Sequence, residues 1–359
     1  MTLTIQAQFS VTVNNGYGSG RYKSASRFIH IWAAANQPNM VFDKWTGDTD
    51  LLVDVKAWHT RVLPKRKNIT LTATYKNAPA WNPTYEAVNG RQYGYFFPPN
   101  IRGLVFRFHG TGGQASTFFN KVEDRSQAND FVAAGFGVVA LDSDDRVNKQ
   151  WSTVLPPNNV DINNVQAIIN SFISRGFISA NTPIFSVGMS NGGGFSPRVA
   201  YVLQFKAAAV YCAAGSTFIN ITNIPTIWNV AQYDDNENVS SSGNASALNN
   251  SQLLAQRGIA SEFNMNIPSP VYPQRFAQIP GLTLSDSQII YNSLKNNGFL
   301  DRQDYLKENP STSGWQLFVP VVYTPFADEI FEQLQVCFTA HKFFSDYNSR
   351  VISFFNARL

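Results

Sequence analysis

Long apolar runs, cysteine, histidine and charge are all scarce in this chain, and each scarcity removes a class of reading. No stretch of about 18 consecutive apolar residues occurs, so no membrane span is expected. Lysine and arginine number 28 against 24 acidic residues, a net charge of +4 with no basic block. Nucleic acid is therefore not an expected partner. Two cysteines, Cys212 and Cys337, do not settle the redox compartment. Of four histidines, His30, His59, His109 and His341, the first two have no Cys/His/Asp cluster with metal-ligand spacing around them, and neither metal nor cofactor is expected. What remains is apolar: 44% of 359 residues, with only 14% charged, enough for a large core in one big domain or two. Met1 to Val13 alternates like a strand and does not read as a signal peptide. Little Lys and Glu beside abundant Asn, Ser, Thr and Phe points to a secreted or cell-surface location.

Residues 1–77 read as a small all-β domain. Alternating strands flank the turn cluster Asn14 to Gly20, Phe28, His30 and Trp32 share one strand face, and Asn68 to Tyr75 alternates again. The opening Gly16-Tyr17-Gly18-Ser19-Gly20-Arg21-Tyr22, the core Phe42, Trp45, Thr46, Gly47, Asp48 and the ending Ile69 to Tyr75 resemble a divergent internalin-type B-repeat module. That resemblance implies a surface spacer touching cell wall, glycan or polymer. Trp32 and Trp45 read first as sheet core and second as a sugar platform. Residues 78–83, with Pro79 and Pro83, form the linker. A chain beginning near Trp81 is expected to fold alone.

From residue 84 to 359, strands and helices alternate, which predicts a mostly parallel sheet flanked by helices. Strands are expected at Tyr93–Phe97, Gly103–Phe108, Gly137–Leu141, Ala207–Cys212 and Thr226–Ala231. Helices are expected at Asn120–Ala134, Asn164–Arg175 and Ser345–Leu359. An insertion of about 240–325 holds an Asn/Ser-rich run from Ser240, a helix at Ser285–Asn296 and an aromatic strand at Trp315–Tyr323.

The chemistry centres on Gly188-Met189-Ser190-Asn191-Gly192, a G-x-S-x-G pattern after an apolar run and before a helix-length segment. Such a tight strand-to-helix turn strains Ser190 and lifts its hydroxyl above the sheet; glycines two positions either side avoid collisions. A serine hydroxyl needs a base. In the α/β-hydrolase order of Ser, acid, His, only His341 qualifies. The acid follows the strand Pro225–Ala231 and is Asp234, with Asp235 as the alternate; Asp142, Asp144 and Asp145 precede Ser190 and are weaker. The loop His109-Gly110-Thr111-Gly112-Gly113 suits an oxyanion hole, with N–H groups from Thr111 (Gly112 as the alternate) and Asn191, while His109 braces the loop. Cys212 and Cys337 converge near this site, either bridged as a disulfide or as two independent buried residues.

Residues from about 82 onward resemble an α/β-hydrolase of the polyhydroxybutyrate-depolymerase and feruloyl-esterase type, on the HGTGG loop, the elbow, the acid loop and Ala340-His341. The resemblance implies a serine carboxylic-ester hydrolase working through an acyl-enzyme on polyester or feruloyl-type esters. Two departures stand out: 341 − 234 = 107 positions separate His341 from Asp234, and Phe338-Thr339-Ala340 replaces the glycine usual before the histidine. The rival readings are a serine peptidase of the same fold and an adhesin or glycan-binding protein on an inactive hydrolase scaffold.

Overall fold

The computed structural model describes residues 8–23, 28–63, 67–234, 236 and 240–359. It divides into two compact units, one of Met1–Ala80 with Pro268–Phe338 and one of Trp81–Ile267 with Thr339–Leu359.

The first eighty residues form two small sheets. β1 (Gln8–Asn14), β3 (Gly20–Lys23), β5 (Met40–Gly47) and β7 (Ile69–Asn77) make one, in the order β3-β1-β7-β5. β2 (Gly16–Tyr17), β4 (Ile29–Ala33) and β6 (His59–Val62) make the other. Alternation in β1 and β7 turns Phe9, Val11, Ile69 and Leu71 into a core with Trp45 and Ile31. Trp45 is core, and its indole N–H donates to Ala57 O at 2.9 Å. Trp32 is buried too, stacked on Tyr272 at 4.3 Å between ring centroids.

Trp81–Ile267 carries an eight-stranded sheet: β8 (Thr84–Val88), β9 (Arg91–Phe96), β10 (Gly103–Phe108), β11 (Phe136–Leu141), β12 (Ile184–Met189), β13 (Ala207–Tyr211), β14 (Thr226–Ala231) and β15 (Ser261–Asn266). Its order is β8-β9-β11-β10-β12-β13-β14-β15. β8 and β9 pair antiparallel, as do β9 and β11; every other pair is parallel. β10, β11 and β14 are buried along their whole length, as parallel strands covered on both faces must be. The helices are α1 (Thr117–Asn120), α2 (Val122–Ala133), α3 (Val160–Ser174), α4 (Asn191–Leu203) and α5 (Ser240–Gln256). Leu104, Phe106 and Phe108 point to one face and pack with Ile168 and Phe172 of α3 and Phe195 of α4. Register pairs Val105 with Phe185, so Phe185 points to the other face. The fold is that of an α/β-hydrolase.

Pro268–Phe338 leaves the sheet to complete the first unit. It holds α6 (Leu284–Asn296), started by a Thr283/Asp286 capping box, and α7 (Ala327–Phe338). Its ends meet: Ser269 N–H donates to Cys337 O at 3.0 Å. Residues expected in one insertion of about 240–325 thus part company, since β15 belongs to the sheet and α5 packs on β14 and β15. The expected strand at Trp315–Tyr323 is absent; 3-10 turns occupy Trp315–Leu317 and Val321–Phe326, because Pro320 and Pro325 cannot donate to a ladder. After Thr339 the chain returns and ends in α8 (Asn348–Asn356), whose Phe355 stacks on Phe185 at 4.6 Å. No helix among the described residues is long and apolar enough to cross a membrane.

Candidate active site

The site is built on the central strand. β12 ends at Met189 and α4 begins at Asn191, leaving Ser190 alone to turn the chain, at φ 56° and ψ −119°. A residue with a side chain pays of order 1–3 kcal/mol for such a conformation and keeps it only when its surroundings impose it. Here Ser190 N–H donates to Tyr211 O at 2.9 Å and Gly194 N–H donates to Ser190 O at 3.1 Å. The flanking glycines are required by space. A Cβ on Gly188 would lie 1.9 Å from Gly192 O, and one on Gly192 would lie 2.2 Å from Phe108 O.

His341 and Asp234 meet this serine from two loops. Ser190 Oγ lies 2.8 Å from His341 Nε2, and His341 Nδ1 lies 2.9 Å from both carboxylate oxygens of Asp234. With Nδ1–H donating to the buried carboxylate, Nε2 is left to accept from the serine hydroxyl. The two loops are tied together, since Tyr233 N–H donates to Thr339 O at 3.0 Å. Thr339 stands at φ 61°, a left-handed conformation that glycine takes most easily and that a β-branched residue takes here. Asn236 N–H donates to Asp234 Oδ1 at 3.1 Å. Asp235, the alternate acid, lies outside the described residues.

The loop after β10 passes over the serine: a Cβ on Gly110 would lie 3.2 Å from Ser190 Cβ. Gly112 N–H is committed to Lys149 O at 3.3 Å and Gly113 N–H to Gly110 O at 3.0 Å. Among the described residues Thr111 N–H and Asn191 N–H donate to no acceptor; Asn191 is the first residue of α4, where a helix supplies none. His109 braces this loop. Its Nδ1–H donates to Gly110 O at 2.8 Å and its Nε2 accepts from Ser143 N–H at 3.2 Å. Burial pushes the His109 imidazole down to about 4, so it stays neutral and keeps that acceptor. Trp151 joins the loop to the elbow: its indole N–H donates to His109 O at 2.7 Å and its backbone N–H to Asn191 Oδ1 at 2.8 Å. Nothing local to Trp151 in the sequence signals this role.

Both cysteines stand as buried thiols, so the bridged alternative is corrected in favour of independent residues. Cys212 S–H donates to Lys342 O at 3.4 Å. Its Sγ, an Asp234 oxygen and a His341 nitrogen lie within 4.8 Å of one another, a donor set of zinc type. The imidazole is already shared between Asp234 and Ser190, however, and burial pushes the Cys212 thiol well above its usual range. A thiolate ligand is disfavoured there, and Cys212 stands as an inert thiol behind the Asp234–His341 pair.

No protein-family model and no curated protein sequence matches the chain. Part of it is similar to solved structures. A ferulic acid esterase is 10% identical at a TM-score of 0.39, over 51% of this chain and 88% of that one. An S-formylglutathione hydrolase from Agrobacterium tumefaciens is 13% identical at 0.40, over 52% and 87%. A monoglyceride lipase from Saccharomyces cerevisiae is 13% identical at 0.34, over 53% and 86%.

Proposed function

We propose that this chain is a serine carboxylic-ester hydrolase. The observation that carries the reading is the unbroken line from Asp234 through His341 to a strained Ser190 beside two uncommitted N–H groups. Ser190 Oγ attacks the ester carbonyl while His341 Nε2 takes its proton; the carbonyl π-bond opens onto oxygen, held by Thr111 and Asn191 N–H groups. Collapse expels the alkoxide, which receives the proton from His341, and leaves an acyl-serine. Water, deprotonated by the same nitrogen, attacks this ester and releases the acid, restoring Ser190. Asp234 keeps the imidazole in the useful tautomer and stabilises the imidazolium. No step needs a metal or cofactor.

Polyester or feruloyl-type esters are the substrate classes we propose, on the sequence resemblance. The first eighty residues we propose to be a B-repeat-like module of an exported protein that meets a cell wall, glycan or polymer surface. The test is a panel of short-chain, feruloyl and polyester substrates given to the wild type and to Ser190→Ala. Hydrolysis of at least one ester by the first and none by the second is the expected result. Cleavage of peptides but no ester points to a peptidase, and silence from both points to an inactive scaffold.

A further inference from the structure

The loop that carries His341 is bolted to helix α2 by a buried carboxylate that the reaction itself does not use. Glu123 stands in the first turn of α2, and its Oε2 accepts from Ser345 N–H at 2.9 Å and from Ser345 O–H at 2.6 Å. Both residues are buried. A carboxylate is costly to remove from water unless charge-assisted hydrogen bonds and a favourable field compensate it. Ser345 supplies the hydrogen bonds, and the start of a helix supplies the field. A helix start alone would be served as well by an exposed acid; burial against Ser345 needs a further reason.

That reason lies four residues upstream. From Thr339 to Ser345 the loop is fixed at one end by Thr339 O, which accepts from Tyr233 N–H, and near its middle by Lys342 O, which accepts from Cys212 S–H at 3.4 Å. Glu123 adds a third anchor beyond His341, and it grips main chain and side chain of one residue together. The neighbouring Asp124 receives Arg107, donated to its Oδ1 at 3.2 Å and to its main-chain O at 2.7 Å. That guanidinium lies 5.3 Å from the ring of Phe343, which packs on Tyr211 at 4.5 Å, and Tyr211 O holds Ser190 N–H. One end of α2 therefore touches the histidine loop directly and the serine turn through two rings.

We propose that Glu123 is a positioning residue that sets His341 Nε2 against Ser190 Oγ through Ser345. This rests on the reading of Ser190 and His341 as nucleophile and base. A displacement of about 1 Å at a catalytic group can cost on the order of a hundredfold in rate. In the full chain, Glu123→Ala should lower kcat about 10- to 100-fold with KM changed less than about twofold. Glu123→Gln keeps an oxygen that accepts from Ser345 and should recover most of that loss. Ser345→Ala removes one of the two donors and should fall between. Rates are taken per active site, titrated by burst with an activated ester, and a fluorophosphonate measures Ser190 reactivity separately. Wild-type kcat and labelling rate in correctly folded Glu123→Ala would overturn the proposal, as would equal losses in kcat from Glu123→Ala and Glu123→Gln. If Glu123→Ala does not fold, unchanged kcat in Ser345→Ala decides against it. A wild type that neither hydrolyses esters nor takes the label refutes the ester reading instead, so the two failures are distinct.

Discussion

Removing the first eighty residues should wreck the unit they belong to, although the sequence alone suggests a free catalytic domain from Trp81. The damage can be sized from what those residues cover. Tyr272 is 4% exposed and lies against Trp32 and Tyr17, at 4.3 and 5.7 Å between centroids. Arg275 is 2% exposed with its guanidinium 5.6 Å from the Trp58 ring, and Tyr305 O–H meets His30 Nε2 at 3.2 Å. Uncovering one large aromatic side chain costs about 1.5–3 kcal/mol, and each lost ring pair about 0.5–1.5 more. The sum is on the order of 5 kcal/mol, comparable with the whole stability of a domain. A chain of residues 81–359 should therefore expose residues 268–338, bind a hydrophobic dye and be cut there by trypsin. A second variant should behave well. Because Ser269 N–H and Cys337 O are 3.0 Å apart, residues 270–336 can be replaced in 81–359 by a linker of about four residues, with little loop-closure cost. It should melt cooperatively and hydrolyse a short soluble ester. Full protease resistance and a sharp melt for 81–359 would show that residues 268–338 stand without the β-strands, and the reasoning would fail.

Ser190→Ala and His341→Ala should each lower kcat by several orders of magnitude in a stopped or continuous ester assay, and Asp234→Asn should cost less but still heavily. An Asp234→Asn protein at wild-type rate would remove that residue from the triad. Gly188→Ala places a methyl 1.9 Å from Gly192 O and should destabilise by about 3 kcal/mol or more; a denaturation curve matching wild type would refute the steric account. His109 gives a pH signature. Its folded value of about 4 lies below the ordinary 6.5, so between these the unfolded chain takes a proton the folded one refuses. Its share of stability is intact above pH 6.5 and declines as pH falls towards 4, by about 3 kcal/mol in all. Urea melts of His109→Gln against wild type should show a flatter acid slope in the variant, and parallel slopes would rule this out. Thiol titration after denaturation without reductant should find both Cys212 and Cys337.

The parts of this site that were legible in the sequence are those whose chemistry is local. An elbow needs Gly188 and Gly192 at fixed offsets because backbone collides there, and the loop after Phe108 needs glycines to aim its N–H groups. His341 and Asp234 followed from the order of elements, since each must leave the same end of the sheet. The central strands read as apolar runs because both faces are covered. What stayed hidden depends on partners far along the chain. Ser240–Gln256 is rich in Ser and Asn, so its helix shows no clear apolar stripe and owes its place to packing on β14 and β15. Glu123 reads as an ordinary acid near a helix start, and only the fold brings Ser345 to it. The histidine pair His30 and His59, with Nδ1 and Nε2 2.8 Å apart, joins strands 29 positions apart and has no spacing to betray it.

The interleaved course of the chain has a consequence for biosynthesis. Trp32 leaves the ribosome 240 residues before Tyr272, the ring that covers it. At about 5–20 residues per second the indole waits roughly 12–48 s, while all of residues 81–267 is made in between. During that interval the nascent protein carries two complete small sheets with a bare aromatic face, the kind of surface that chaperones bind and that neighbouring chains on a polysome find. Slow decoding between residues 80 and 268 would lengthen this exposure, and rapid decoding there would shorten it.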